Sequence, residues 1–139
     1  MKLFADSSVA LAASMSATGA SRVIFDLADA QGWTLFVSPW VLREVRDNLA
    51  GKPPEFTRAW LALRAKVIVE DDELTFDWPL VFDVTKDKPV LCTALACADV
   101  LLTLDRRDFR TLLGENVCGL RIATPGEFLR AERATGRIP

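Results

Sequence analysis

Four carboxylates stand where chemistry could be done: Asp6, Glu44, Asp87 and Asp105. Asp6 ends the apolar run 3–5, and Asp105 ends the run 100–104. If both runs are parallel strands, the two acids share one rim of a sheet, where ligands bind in such folds. Glu44 follows Ser38-Pro39, a helix-opening pair. Its helical position is about 115° from the centre of the Val41/Leu42/Val45/Leu49 stripe, beside the core face, at 100° per residue. Asp87 stands before Lys88-Pro89, at the start of the helix that leads into the Asp105 strand. Carboxylates gathered without basic partners resist joint ionisation. Hard divalent cations remove that obstacle. Mg²⁺ and Mn²⁺ take oxygen ligands, and such ions clamp a phosphodiester and activate water without histidine. The chain has no His and no Tyr, which excludes Ser-His-Asp triads, imidazole bases, His-ligated zinc and tyrosine nucleophiles.

Each acid also has a plain structural reading. Asp6 could only terminate a strand, and Glu44 could be a solvated helix residue paired with Lys or Arg. Asp87 and Asp105 could be helix N-caps. Asp108 reads as a first-turn helix acid, and Asp99 as the start of its strand, facing the opposite end. The combination, rather than any one residue, points to a site.

The elements that must position these acids alternate along the chain. Strands are expected at 3–5, 33–37, 66–70, 99–104 and 120–123. Helices are expected at 8–14, 20–30, from Pro39 through about Leu49, from about 54 to 64, from about 88 to 98, at 105–113, and after Thr124-Pro125-Gly126-Glu127, a capping box. Residues 71–86 read as a loop with a helical turn. Short strands joined through helices predict an α/β fold, with a central mostly parallel sheet and helices on both faces.

The 139 residues make one domain, 1–139. Half are hydrophobic, and the formal charge is −2, which disfavours a strongly basic nucleic-acid module. Cys92, Cys97 and Cys118 are odd in number and lack metal spacing, so they read as small buried hydrophobes. Trp33, Trp40, Trp60 and Trp78 read as core or interface anchors, with base stacking by Trp40 the weaker reading. No apolar run reaches the ~18 residues of a membrane span. The N-terminus meets an acid too early for a signal peptide. A cytoplasmic protein is expected.

The residues resemble a PIN domain, the fold of VapC-type toxins and other metal-dependent ribonucleases. Leu3-Phe4-Ala5-Asp6-Ser7-Ser8-Val9 resembles the opening motif. Ser38-Pro39-x-Val41-Leu42-x-Glu44-Val45 resembles the second, and Lys86-Asp87-Lys88-Pro89-Val90-Leu91 the third. Ala98-Asp99-Val100-Leu101-Leu102-Thr103-Leu104-Asp105-Arg106-Arg107-Asp108-Phe109 resembles the fourth. Ile122-Ala123-Thr124-Pro125 and Phe128-Leu129 resemble the family's last strand and helix. The set spans nearly the whole chain in the right order. It implies an endoribonuclease that uses Mg²⁺ or Mn²⁺, with Asp6, Glu44, Asp87 and Asp105 as catalytic metal-site acids. Ser8 and Thr103 are the implied supporting hydroxyls. Two departures stand out: Ser8 replaces the commoner Asn, and Leu104 takes the place of a frequent small Gly, which narrows the expected cleft floor.

The implied partners are an RNA substrate, a cognate antitoxin and a second copy of the chain. Apolar surface on the helices after Ser8 and Pro53 also suggests a homodimer. Arg43, Arg46, Lys86, Lys88, Arg106 and Arg107 lie near the expected rim; Arg43, Lys88, Arg106 and Arg107 are the candidates for RNA contact. Receiver-domain and haloacid-dehalogenase-like readings each lack a required second acid, because Ser8 stands where the latter needs Asp. The remaining rival is a PIN-like scaffold that binds RNA or protein without cutting.

Overall fold

The computed structural model describes residues 1–73, 88–106, 109 and 113–139, with the side chain of Lys88 excepted. The element order is β1 (Lys2–Ala5), α1 (Ser7–Met15), α2 (Ala20–Gln31), β2 (Thr34–Val37), α3 (Pro39–Leu49), α4 (Pro54–Arg64), β3 (Val67–Val69), α5 (Lys88–Cys97), β4 (Val100–Leu102), β5 (Asn116–Val117), β6 (Leu120–Ala123) and α6 (Pro125–Ala134). The sheet order is β3-β2-β1-β4-β6-β5. Every pairing is parallel except β5 with β6.

Leu3, Phe4 and Ala5 of β1 are all buried, as are Val100, Leu101 and Leu102 of β4. Successive strand residues face opposite sides of a sheet, so both faces of its centre are covered. The chain first builds outward from β1 through β2 to β3, then returns to the other side of β1 to lay down β4 and β6. The reversal falls between β1 and β4. In open parallel sheets that switch point, at the carboxyl ends of the strands, is where ligands bind.

Local chemistry sets the helix boundaries. Ser38 caps α3 by accepting from Val41 N, with Pro39 in the first turn. Gly32 ends α2 in the left-handed conformation, at φ 66°. Thr124 and Glu127 form the reciprocal capping box of α6. No single helix among the described residues is long and apolar enough to cross a membrane; a bent pair formed by α1 and α2 passes that test by length and composition only.

Three sequence expectations change. Described residues within 105–113 are turn, bend or irregular rather than a continuous helix, although Phe109 N and Leu113 N each donate to the carbonyl four residues back. Strand β5 was not foreseen; it is two residues long, too short for a period-two signal. Cys118 is exposed, not buried: it sits at φ 50° in the β5–β6 turn beside Gly119. Cys92 is buried as expected, and burial pushes the half-buried Cys97 thiol up to about 11. The expected loop at 71–86 lies mostly outside the described residues, as does Trp78.

Candidate metal site at the switch point

Asp6 leaves β1 and caps α1. Its backbone N–H continues the ladder to Leu102 O at 3.0 Å. Its side chain is only 4% exposed. Oδ1 accepts from Ser7 N at 2.6 Å and from Ser7 Oγ at 3.3 Å. Oδ2 accepts from Thr103 Oγ1 at 2.8 Å and from Ser8 Oγ at 3.2 Å.

The two hydroxyls each do a second job. Thr103 Oγ1 accepts from Asp105 N at 3.1 Å, and Ser8 Oγ accepts from Leu104 N at 3.0 Å. A hydroxyl has one proton to give. With their lone pairs engaged by N–H groups, both hydroxyls direct that proton to Asp6. The segment 103–105 is thereby tethered to the Asp6 carboxylate at two points, and Asp105 is carried on that segment. Sequence reasoning identified Ser8 and Thr103 but missed Ser7 and the Leu104 amide. The serine after a helix-capping Asp was a usable signal; a main-chain donor leaves none in sequence. Leu104 itself is exposed.

Burial pushes the Asp6 carboxyl above its ordinary value; the bonds from Thr103, Ser7 and Ser8 pull it partly back. No cation pairs with Asp6 among the described residues. A buried carboxylate supplied with neutral donors and no counter-charge is suited to a cation from solution.

Asp105 is half-buried on the tethered segment. Glu44 is also half-buried, between the core residues Val41 and Val45 on α3, with Oε1 removed from solvent. Helix α3 packs against α1 and α5, the helices that follow the β1 rim and precede β4. Asp87 lies outside the described residues. Among the described residues, no three acidic or cysteine side chains converge closely enough to hold an ion. Asp6 and Asp105 are joined through Thr103, which bonds the Asp6 carboxylate and the Asp105 backbone N–H. Mg²⁺ commonly keeps several waters and takes one or two carboxylates, so an oxygen-only pair fits that chemistry.

Asp99 faces the opposite end of the sheet, where Oδ2 accepts from Lys2 N at 2.8 Å. Arg106 is exposed directly after Asp105. Arg43 is exposed too, with its guanidinium 5.9 Å from the centroid of the Trp40 ring. Arg107 and the Lys88 side chain lie outside the described residues. Asp72, not singled out from sequence, accepts from Trp40 N at 3.2 Å and so serves the start of α3.

Neither a family model nor a curated protein matches the chain. Among solved structures, VapBC2 from Rickettsia felis, bound to a DNA fragment from their promoter, contains a similar chain. The TM-score is 0.62, with 13% identity, over 89% of this chain and 98% of that one. At that identity the likeness is one of fold, and it agrees with the fold that the ordered motifs imply: the chain has a PIN-like α/β fold.

Proposed function

We propose that the chain is a metal-dependent endoribonuclease that hydrolyses RNA phosphodiester bonds, and that it acts as the toxin of a toxin–antitoxin pair in the cytoplasm. The observation that carries this reading is Asp6: buried at the switch point, without a counter-charge among the described residues, and tied through Thr103 to the segment bearing Asp105. Asp6 and Asp105 would hold Mg²⁺ or Mn²⁺, with Glu44 and Asp87 completing the acidic set. A divalent ion at this place supplies Lewis acidity toward a phosphodiester and makes a nucleophile of water at neutral pH. The chain's own residues do the rest. Ser7, Ser8 and Thr103 fix the Asp6 oxygens. The tethered 103–105 segment fixes where Asp105 stands. Arg43 and Arg106, with Lys88 and Arg107, supply cations for the phosphates of a bound strand.

The likeness to a chain of VapBC2 supports an antitoxin partner, and a homodimer is the proposed free form. Purified protein should cleave single-stranded RNA with Mn²⁺ or Mg²⁺, and EDTA should abolish cleavage. Undiminished cleavage in EDTA would end the metal reading. Absence of both cleavage and Mn²⁺ binding would favour the non-cutting scaffold.

A further inference from the structure

Strands β1, β2 and β3 run parallel, so β3 ends on the rim that carries Asp6. The residues after it, 70–73, are fixed by hydrogen bonds to three different elements. Glu70 N donates to the carbonyl of Val37, the last residue of β2, at 2.8 Å. Asp72 Oδ1 accepts from Trp40 N, in the first turn of α3, at 3.2 Å. Glu73 N donates to Thr93 Oγ1, in α5, at 2.9 Å. Thr93 is 1% exposed and gives its own proton to Pro89 O at 2.8 Å, so its oxygen is directed to Glu73 as an acceptor.

Helix α3 needs what Asp72 supplies. The first amides of a helix have no acceptor within it. Pro39 has no N–H to satisfy, and Val41 N reaches its cap, Ser38 Oγ, only at 3.4 Å. No acidic residue of α3 itself stands in that turn, so Asp72 brings both an acceptor for Trp40 N and the negative charge that a helix N-terminus favours. Trp40 stands one turn before Glu44 on the same side of α3. Helix α5, which Asp87 precedes in sequence, packs against α3. The strap 70–73 thus joins the two helices whose starts bear on the acidic rim.

We propose that Asp72 is a positioning residue: together with Thr93 it makes the strap 70–73 a brace between α3 and α5, and that brace sets where Glu44 stands relative to Asp6 and Asp105. The use of Glu44 at a metal site rests on the nuclease reading above; the hold on the turn that carries it does not. What Asp72 contributes is an oxygen aimed at Trp40 N, which an Asn at the same position also offers. Asp71, its exposed neighbour, carries the same charge and serves as the electrostatic control.

The test uses the full 139-residue chain and two readouts. The first is amide hydrogen exchange over residues 40–45 in EDTA, which needs neither metal nor activity. Exchange there should quicken about fivefold in Asp72→Ala and in Thr93→Val, and stay at the parent's rate in Asp72→Asn, Thr93→Ser and Asp71→Asn. The second is the Mn²⁺ concentration for half-maximal cleavage of a single-stranded RNA. It should rise about tenfold in Asp72→Ala and Thr93→Val, the size of effect that supporting residues have on metal affinity, and return to the parent's value in Asp72→Asn and Thr93→Ser. Unchanged exchange in Asp72→Ala overturns the proposal. So does failure of Asp72→Asn to rescue, or an Asp71→Asn variant that behaves like Asp72→Ala, since either makes charge rather than the bond to Trp40 the cause. Loosening of α3 with the parent's Mn²⁺ dependence intact makes Asp72 a helix cap and nothing more, and overturns it too. If α3 loosens as expected but the parent itself neither binds Mn²⁺ nor cleaves, the nuclease reading has failed and the brace that places Glu44 stands.

Discussion

Replacing Thr103 by Val keeps the shape of a fully buried side chain and removes only its hydroxyl. Two interactions go with it: the 2.8 Å bond donated to Asp6 Oδ2 and the 3.1 Å bond accepted from Asp105 N. A hydrogen bond to a charged group contributes about 1.5–3 kcal/mol, and a partly buried N–H left without an acceptor costs about 1 kcal/mol more. The expected loss is about 2–4 kcal/mol. At roughly 4 °C per kcal/mol for a domain of this size, the melting temperature should fall by about 8–16 °C. Thr103→Ser is the control. It keeps the hydroxyl and loses one buried methyl, which costs about 1 kcal/mol. Thermal melts of the parent and both variants in EDTA measure the difference directly. Amide hydrogen exchange adds a local readout: Leu104 and Asp105 should exchange faster in Thr103→Val than in Thr103→Ser. If the Val variant is as stable as the Ser variant, and those amides stay protected, the tether between Asp6 and the Asp105 segment does not hold the site together.

Four further outcomes follow from the same structure. Because burial raises the Asp6 carboxyl in the folded chain, the folded state keeps its proton to higher pH than the unfolded state. Metal-free stability attributable to Asp6 should therefore fall as pH rises from the ordinary carboxylate value to the raised one; melts of the parent minus Asp6→Asn across that range should show this slope, and a flat or rising difference counts against it. Glu127 has the opposite sign: its bond with the Thr124 backbone lowers its carboxyl, so its contribution is present above the ordinary value and lost as pH falls through the lowered one. Thr124→Ala should cost about 1 kcal/mol in a denaturant melt, because it removes the cap of α6. Arg137→Gln should cost about 2 kcal/mol, because it leaves Glu132, 2% exposed, without the 3.0 Å partner of its Oε1; a loss under 0.5 kcal/mol would show that solvent screens the pair.

Period and punctuation made most of the fold legible. The β1 and β2 runs, the Ser38-Pro39 start, the Lys88-Pro89 start and the Thr124–Glu127 box each carry a local signal that tertiary packing reinforces. Strand β3 was expected two residues too long because Lys66 and Glu70 extend its pattern, whereas the ladder ends at Val69. Strand β5 and the exposed Cys118 were missed because a two-residue hairpin arm has no periodicity, and only Gly119 marks its turn. At the site, Asp6 and Asp105 could be assigned to one rim because each ends an apolar run that reads as a parallel strand. The bridge between them could not, because it runs through a main-chain amide of Asp105 and the orientation of one buried hydroxyl. The relation of Glu44 to those acids depends on how α3 leans, which a helical-wheel angle does not fix.

The central claim is that Asp6 and Asp105 hold a divalent ion that cleaves RNA. Titrating Mn²⁺ into the EDTA-stripped parent, Asp6→Asn and Asp105→Asn, while following both melting temperature and cleavage of a single-stranded RNA in the same samples, tests it most directly. The parent should gain stability with Mn²⁺ by mass action and begin to cleave over the same concentration range. Both variants should stay folded, lose most of that stabilisation and lose cleavage. If Mn²⁺ stabilises all three proteins equally, or if Asp105→Asn cleaves RNA as the parent does, the carboxylates at the switch point are structural and the claim is wrong.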